Sequence, residues 1–398
     1  MSLELLTELL DLPHVRVVGY ELLDRGTIIL DIEFDLPAAM CPTCHQISTA
    51  IHSYVPPRTV RDLDVWNRTC YLRFQPRQFV CGHCQDTFVE RLAWLEERQH
   101  QTRRMEVRMF ELARRTNVTD AAWYHRTTDE RAEALFLREA RRRVEGRGYP
   151  RVEELNVDEI ALAKGQGHYV LVISSPGIGV LDVLPNRLKE TLIAWLDDRG
   201  AEWCAAIKRF NADMWAPYHD VARAKLPNAK AVADHFHVIK DLNDALAAVR
   251  RTLQRQADET TRAHLKGSRW LIVKNPESLS DTERQRLVEV LEAEPTLKAC
   301  YDLKEDFRAI YHMPDAEEAA SALEQWLKQA RAITLSPFQA FVTTVENWRD
   351  HIINFFDGRS SNGFGEGVNH KIKLVKRRAY GCPNFEHFRL RVIVAFGT

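Results

Sequence analysis

The sequence predicts a multidomain α/β protein. A small cysteine-bearing domain and an arginine-rich helical segment precede a mixed sheet, and the sheet is interrupted by a long all-helical insertion. Three observations predict this. Two C-x-x-C pairs, Cys41-Pro-Thr-Cys44 and Cys81-Gly-His-Cys84, stand near the N-terminus. From Glu154 the chain alternates apolar runs of strand length with runs of helical periodicity. From about residue 238 to 355 the periodicity is helical throughout, broken only at Pro276, Pro295, Pro314 and Pro337.

A chain of 398 residues is long enough for two or three domains. The expected boundaries are 1–97, 98–150, 151–240, 241–355 and 356–398. No apolar run approaches the roughly 20 residues that a membrane span needs. The first residues, MSLELLTELLDLPHVRV, are acidic early and lack a basic segment followed by an apolar one, so a cytoplasmic, reducing setting is expected. The net charge of −1 hides local excesses. Between Arg98 and Arg151 there are fourteen arginines against eight acids, and between Lys371 and Arg391 seven basic residues against one acid, Glu386. Such runs are most often solvated helix faces.

In the first segment, two C-x-x-C knuckles let four thiolates close a tetrahedral shell around one ion. Cys41, Cys44, Cys81 and Cys84 are therefore expected to hold a structural zinc, with strand-like runs such as Tyr71–Phe74 and Gln78–Val80 around them, as in a zinc ribbon. A closed shell folds a domain and leaves no site for chemistry. Cys70, Cys204, Cys300 and Cys382 are isolated and are expected to be small buried residues.

Next, Phe110 to Thr119 has the rhythm of a helix, a turn at Thr116-Asn117 and the cap of a second helix, as in helix-turn-helix modules. A further helix from about Thr128 to Val144 presents more arginines. Arg114, Arg115, Arg131, Arg138, Arg141 and Arg142 are the expected DNA contacts of this segment, although basic helical hairpins are common and the pattern is unspecific.

From Glu154 the expected order is strand (Leu155 to Leu162), strand (His168 to Ser174), strand (Gly179 to Leu184) and helix (Leu188 to Arg199, stopped by Gly200). A fourth strand is expected to open at Trp203–Ile207 and reach towards Asp213, followed by a helix (Pro217 to Lys225) and a fifth strand (Ala229 to Ala233) ending at Asp234. That is the order of a ribonuclease-H-like sheet. Asp158, Asp213 and Asp234 fall at or near strand ends, where carboxylates can hold the two divalent ions that phosphodiester chemistry uses. A single aspartate at a strand end is more often a turn or cap residue.

The segment from Ser361 to Gly381, SNGFGEGVNHKIKLVKRRAYG, reads as a capped helix. Val368, Ile372, Val375 and Ala379 share one face, and Glu366, Asn369, His370, Lys373 and Arg377 share another. An ion-paired surface helix would look similar. Two glycines flanking Glu366 cost helix stability and point to close approach of something to the backbone.

That motif, the upstream PNAKAVADHFHVIKDLNDALAAVRR and the two knuckles together resemble the ISL3 insertion-sequence transposases. These are bacterial DDE enzymes with a zinc finger, a helix-turn-helix and a split ribonuclease-H-like catalytic domain. The likeness covers nearly the whole chain. It implies cleavage at the terminal inverted repeats of a mobile element and attack of the freed 3′ hydroxyl on target DNA, using two Mg²⁺ or Mn²⁺ ions, with double-stranded DNA as partner and a homodimer on it. Asp158 in VDE and Glu366 in NGFGEG are the implied first and last ligands. For the middle ligand both Asp213 in ADM and Asp234 in ADHFH match; strand order prefers Asp213, beside the first strand. His235, His237 and Asn369 are expected next to the ligands or against DNA, and Lys373, Lys376, Arg377 and Arg378 as DNA contacts. Alternatives are a transposase-derived DNA-binding regulator without catalysis and a nuclease that never rejoins strands.

Overall fold

The computed structural model describes residues 2–23, 26–162, 169–359, 363–379 and 384–396, with the side chain of Glu366 excluded. His168, the expected caps Ser361 and Asn362, and Cys382 lie outside the described residues. The chain divides into two compact units, Met1–Arg147 with Val375–Phe396, and Gly148–Leu374.

In the first unit two small sheets interleave in sequence. Strands Val15–Leu22, Thr27–Phe34, Thr69–Phe74 and Arg58–Arg61 form one sheet in that spatial order. Its alternating apolar residues, among them Ile28, Leu30, Val60, Leu72 and Phe74, are buried against Leu6 and Leu10 of the helix Leu3–Leu10. The cysteines belong to the other elements, a hairpin of Ala39–Met40 with Ile47–Ser48 and a three-stranded sheet of Ile51–Tyr54, Arg77–Val80 and Thr87–Val89. So part of the segment between the knuckles is shared with a neighbouring sheet.

Helices Arg103–Arg115, Val118–Tyr124 and Asp129–Arg147 follow. Thr102 and Asn117 cap the first two, each accepting a backbone N–H through its side chain. Met105, Phe110, Ala121 and Phe136 bury the inner faces together with Leu390 and Val394 of the helix Phe385–Ala395. Residues 356–398, expected as one returning segment, therefore divide, with the last helix packing on the arginine-rich helices.

The second unit carries a five-stranded sheet. Its strands are β1 (Glu154–Ala161), β2 (Tyr169–Ser175), β3 (Gly179–Leu184), β4 (Arg209–Ala212) and β5 (Lys230–Ala233), in spatial order β3-β2-β1-β4-β5. The first three are antiparallel neighbours, whereas β4 and β5 run parallel to β1. Helices α1 (Lys189–Arg199) and α2 (Ala216–Lys225) cover one face, burying Leu155, Val157, Phe210 and Ala212 beneath Trp195, Tyr218 and Val221. Because side chains alternate along a strand, Asn156, Asp158 and Asn211 point to the other face.

One expected strand is corrected. Trp203–Ile207 does not open the fourth strand; Ala201–Ala205 is a short helix and the strand starts at Arg209. Gly200 ends α1 at φ 85°, and Trp203 turns inward, its ring 5.5 Å from that of Trp195 and its Nε1 donating to the Pro150 carbonyl at 3.0 Å. The apolar run was a buried helical turn, which a short window cannot tell from a strand.

After β5 the chain enters α3 (His235–Gln256) at once, and further helices run to Ile353. The expected boundary at 240/241 thus falls inside α3. Leu242, Leu246 and Val249 pack with Phe307, Trp326 and Phe341 in one core. Lys304 is fully buried there, its Nζ donating to the carbonyls of Ile272 (3.0 Å) and Lys274 (3.3 Å) and closing the end of the helix Arg269–Val273.

His219 of α2 is enclosed by Phe210, Trp348 and His351. Burial disfavours its charged form and takes its pKa from 6.5 down to about 4. The unfolded chain therefore takes up the proton first, and the stability that neutral His219 contributes is present above pH 6.5 and lost as pH falls towards 4. Between those values the expected loss is on the order of 2–3 kcal/mol. His219→Gln should flatten this part of the pH profile, read by hydrogen exchange in α2.

Candidate active site and cysteine cluster

The two knuckles are built alike. The N–H of Cys41 donates to the carbonyl of Gln46 and that of His45 to Cys41; the N–H of Cys81 donates to Asp86 and that of Gln85 to Cys81. His45 and Gln85, each following a knuckle, have φ of 60° and 61°. These matched turns bring the four sulfurs within 4.8 Å of one another. Backbone N–H groups of Cys84 and His83 favour the thiolate of Cys81 and lower its pKa to about 6; at Cys84 the Asp86 N–H acts the same way, but burial and the neighbouring sulfurs outweigh it and push the thiol up to about 12. Four converging thiols with Phe79 and Phe88 as the adjoining core suit a structural zinc. Cys70 and Cys300 are buried thiols, pushed up to about 12 by burial, and Cys204 is buried too.

In the second unit the parallel register pairs Val157 with Ala212 and Ala212 with Ala233. The next residues, Asp158, Asp213 and Asp234, hence stand at one level on three neighbouring strands, with steps of about 4.8 Å between strands. Asp158 is the most enclosed, and burial raises its pKa although two hydrogen bonds favour its charge. These come from the Glu159 N–H (2.7 Å) and from Asn369 Nδ2 (2.5 Å) on α4 (Gly363–Arg378). Among the described residues the buried Oδ1 of Asn369 has no partner.

Asp213 accepts the Met214 N–H at 2.6 Å. Asp234 caps α3, its Oδ1 accepting the Phe236 N–H at 2.9 Å. His237 lies between them, with Nδ1 3.2 Å from Asp234 and Nε2 4.0 Å from Asp213. Burial opposes charge on this ring, but the hydrogen bond to Asp234 and the fields of Asp213, Asp234 and Asp158 outweigh it and raise its pKa to about 9. A cationic imidazolium among three acids is what their mutual repulsion selects. His235 turns away, its ring 3.9 Å from that of Tyr311, and burial lowers its pKa.

A cavity of about 280 Å³ opens beside Asp158. Asp234, His237 and Phe236 line it from α3 and its cap; Asn369, His370 and Lys373 line it from α4. Asp213 is not among the lining residues. Glu366 lies in the first turns of α4, and its side chain is outside the described residues. Phe236 and Glu159, which also line the cavity, were not singled out from sequence. The signal for Phe236 was its place on the face of α3 opposite Val238 and Leu242.

The arginines divide by partner. Arg138 pairs with Glu106, and Arg142 with Glu96 and Glu139, as parts of a network around the buried Glu106 and Glu139 that also takes in Arg103 and Arg143. Arg114 bonds Glu111 and the Val394 carbonyl. Arg115, Arg131 and Arg141 are exposed. Arg131 and Arg138 line a cleft of about 660 Å³ in the first unit with Arg61 and Arg126, and among the described residues no carboxylate lines it. On α4, Lys373 and Arg377 are exposed, Lys376 is half-buried, and Arg378 donates to the Arg115 carbonyl at 2.7 Å.

Comparison with known proteins agrees with this division of parts. A family model described as a transposase, the ISL3 type of DDE transposase, matches residues 155–392. A second, described as the zinc-finger of transposases IS204, IS1001, IS1096 and IS1165, matches residues 37–84. The transposase for insertion sequence element IS1001 of Bordetella parapertussis is 28% identical over 360 residues, 90% of this chain and 88% of that protein. The transposase for insertion sequence element IS1557 of Mycobacterium tuberculosis is 27% identical over 256 residues, 58% of this chain and 57% of its own length. With the cysteine cluster and the sheet both inside the matched segments, the chain belongs to the ISL3 family of transposases.

Proposed function

We propose that the protein binds the terminal inverted repeats of an insertion sequence, cuts the strands there and joins the freed 3′ hydroxyls to target DNA. In this reading the second unit is a ribonuclease-H-like catalytic core with a helical insertion, and the three helices of the first unit include a helix-turn-helix. The observation that carries it is the row of Asp158, Asp213 and Asp234 at one level of the sheet, with Asn369 of α4 bonded to Asp158.

The donor set suits hard divalent ions: carboxylates, plus a buried amide oxygen with no described partner. Two Mg²⁺ or Mn²⁺ ions would supply Lewis-acid stabilisation of the charge that develops on the phosphate and on the entering and leaving oxygens. Asp158, Asp213 and Glu366 would hold them. Asn369 orients Asp158, and His237 balances the acids until DNA and metal enter. Lys373 and His370 offer cationic or hydrogen-bonding groups to the phosphate. The carboxylate-free cleft of Arg61, Arg126, Arg131 and Arg138 is the natural path for a DNA backbone over the first unit, with Arg115, Arg141 and Arg377 as further contacts. Arg114 and Arg142 support the helices through their ion pairs.

Asp213 is the preferred middle ligand because it is one strand from Asp158, whereas Asp234 is two strands away and has both oxygens engaged by α3. Asp213→Ala should abolish cleavage of element ends, and Asp234→Ala should lower it through loss of the α3 cap and of the His237 contact, leaving measurable product. Full cleavage by Asp213→Ala with none from Asp234→Ala reverses the assignment.

A further inference from the structure

We propose that the cavity beside Asp158 receives one unstacked nucleotide of the DNA end, its base against Phe236 and its sugar–phosphate along the backbone at Gly365. The proposal rests on the transposase reading above.

Phe236 is 54% exposed, although α3 buries its opposite face through Val238, Leu242 and Leu246. Among the described residues it joins none of the apolar cores named above, and its ring meets the edge of His237 at 5.5 Å between centroids. Phe236 is a large apolar ring left half-exposed on the wall of a cavity otherwise lined mainly by charged and polar groups. It offers a flat face to a planar ligand, and stacking on an aromatic ring tolerates any base.

Gly365 on the facing wall gives an independent observation. It lies in α4, its φ is not of the kind that calls for glycine, and a Cβ built on it meets nothing within 4 Å; the same holds for Gly367. Glycine inside a helix is unfavourable against alanine, and nothing in the fold requires it here. A helix face kept bare beside a cavity is explained by a ligand whose backbone comes close to it.

The cavity volume of about 280 Å³ lies just below the span of roughly 300–1,000 Å³ usual for small-ligand sites. It is room for a single nucleotide and too little for a duplex. Lys373 on the same wall matches a phosphate, while Asp158, the ligand shared with the proposed metal site, lies at the cavity's inner side. A base drawn out of the stack would present the adjoining phosphodiester to the acids.

The test uses the full-length protein and the DNA ends of its own element, with abasic sites placed singly around the scissile bond. In the wild type, one abasic position should lower cleavage roughly 5- to 150-fold. Phe236→Ala should lower cleavage of intact ends by a similar factor and become indifferent to that abasic position; Phe236→Trp should restore it. Gly365→Ala should raise the melting temperature yet slow cleavage, a combination that a purely structural glycine does not give. Full activity of Phe236→Ala and Gly365→Ala, or additive effects of Phe236→Ala and every abasic site, overturns the pocket assignment alone. Absence of any end cleavage by the wild type overturns the transposase reading instead.

Discussion

Asp158→Asn is expected to reduce cleavage of element ends by on the order of 10³-fold or more, while binding of the same DNA stays within about twofold. The substitution keeps shape and strand register; the new amide accepts the Glu159 N–H through its oxygen and donates its NH2 to the Oδ1 of Asn369 once that side chain turns over, so the contact survives with its direction reversed and the negative charge is lost. In the proposed role of Asp158 as a ligand for two divalent ions, losing its charge removes several kcal/mol of stabilisation that develops with the transition state, and each 1.4 kcal/mol is a factor of ten. The protein without metal should respond in the opposite sense. Burial already raises the pKa of Asp158, which means that its charge is costly in the folded state. The asparagine variant should melt at the same temperature as the wild type or higher. A scan without metal, beside a cleavage assay in Mg²⁺, checks both signs. Equal activity of the variant would remove Asp158 from the reaction.

The second large effect concerns zinc. Cys81→Ser, or removal of zinc by a chelator, should unfold the three-stranded sheet and the hairpin that bear the knuckles. Beyond the cysteines, the buried core of this part is little more than Phe79 and Phe88, and structural zinc contributes about 10–16 kcal/mol in small peptide sites. The neighbouring sheet should survive, because Cys70, Leu72, Val60 and Phe74 are buried with the strands Val15–Leu22 and Thr27–Phe34. Hydrogen exchange should therefore lose protection in Ile51–Tyr54, Arg77–Val80 and Thr87–Val89 while keeping it in Thr27–Phe34. Metal analysis should fall from one zinc per chain to none. Retained protection in Arg77–Val80 after zinc loss would show that the cysteines are not its main support.

Much of this was legible in the sequence where local pattern and fold agree. The C-x-x-C spacing gives the four-sulfur cluster because a tight turn fixes both thiols of each pair, and β3 was read to the residue from its apolar run between Gly179 and Leu184. The turn at Thr116-Asn117 was legible because Asn117 is a strong cap. Trp203–Ile207 misled because a buried helical turn and a buried strand have the same apolar content. The division of the arginines was hidden for another reason. Arg138 meets Glu106 and Arg142 meets Glu96 only through tertiary packing, so spacing along one helix could not tell ion-paired arginines from exposed ones. Arg61 and Arg126 share a cleft from 65 positions apart. Asn369 was expected next to the ligands or against DNA, but that it bonds Asp158 could not be read from spacing.

That last contact also sets a clock. Asp158 and Asn369 are 211 residues apart, and the helices from His235 to Ile353 are made between them. At roughly 5–20 residues per second of synthesis, a ribosome needs roughly 10–40 s to travel from one to the other. During that interval the nascent chain carries Asp158, Asp213 and Asp234 without the helix that bears Asn369. Until Asn369 has been made, Asp158 keeps its carboxylate without the amide that bonds it in the folded protein.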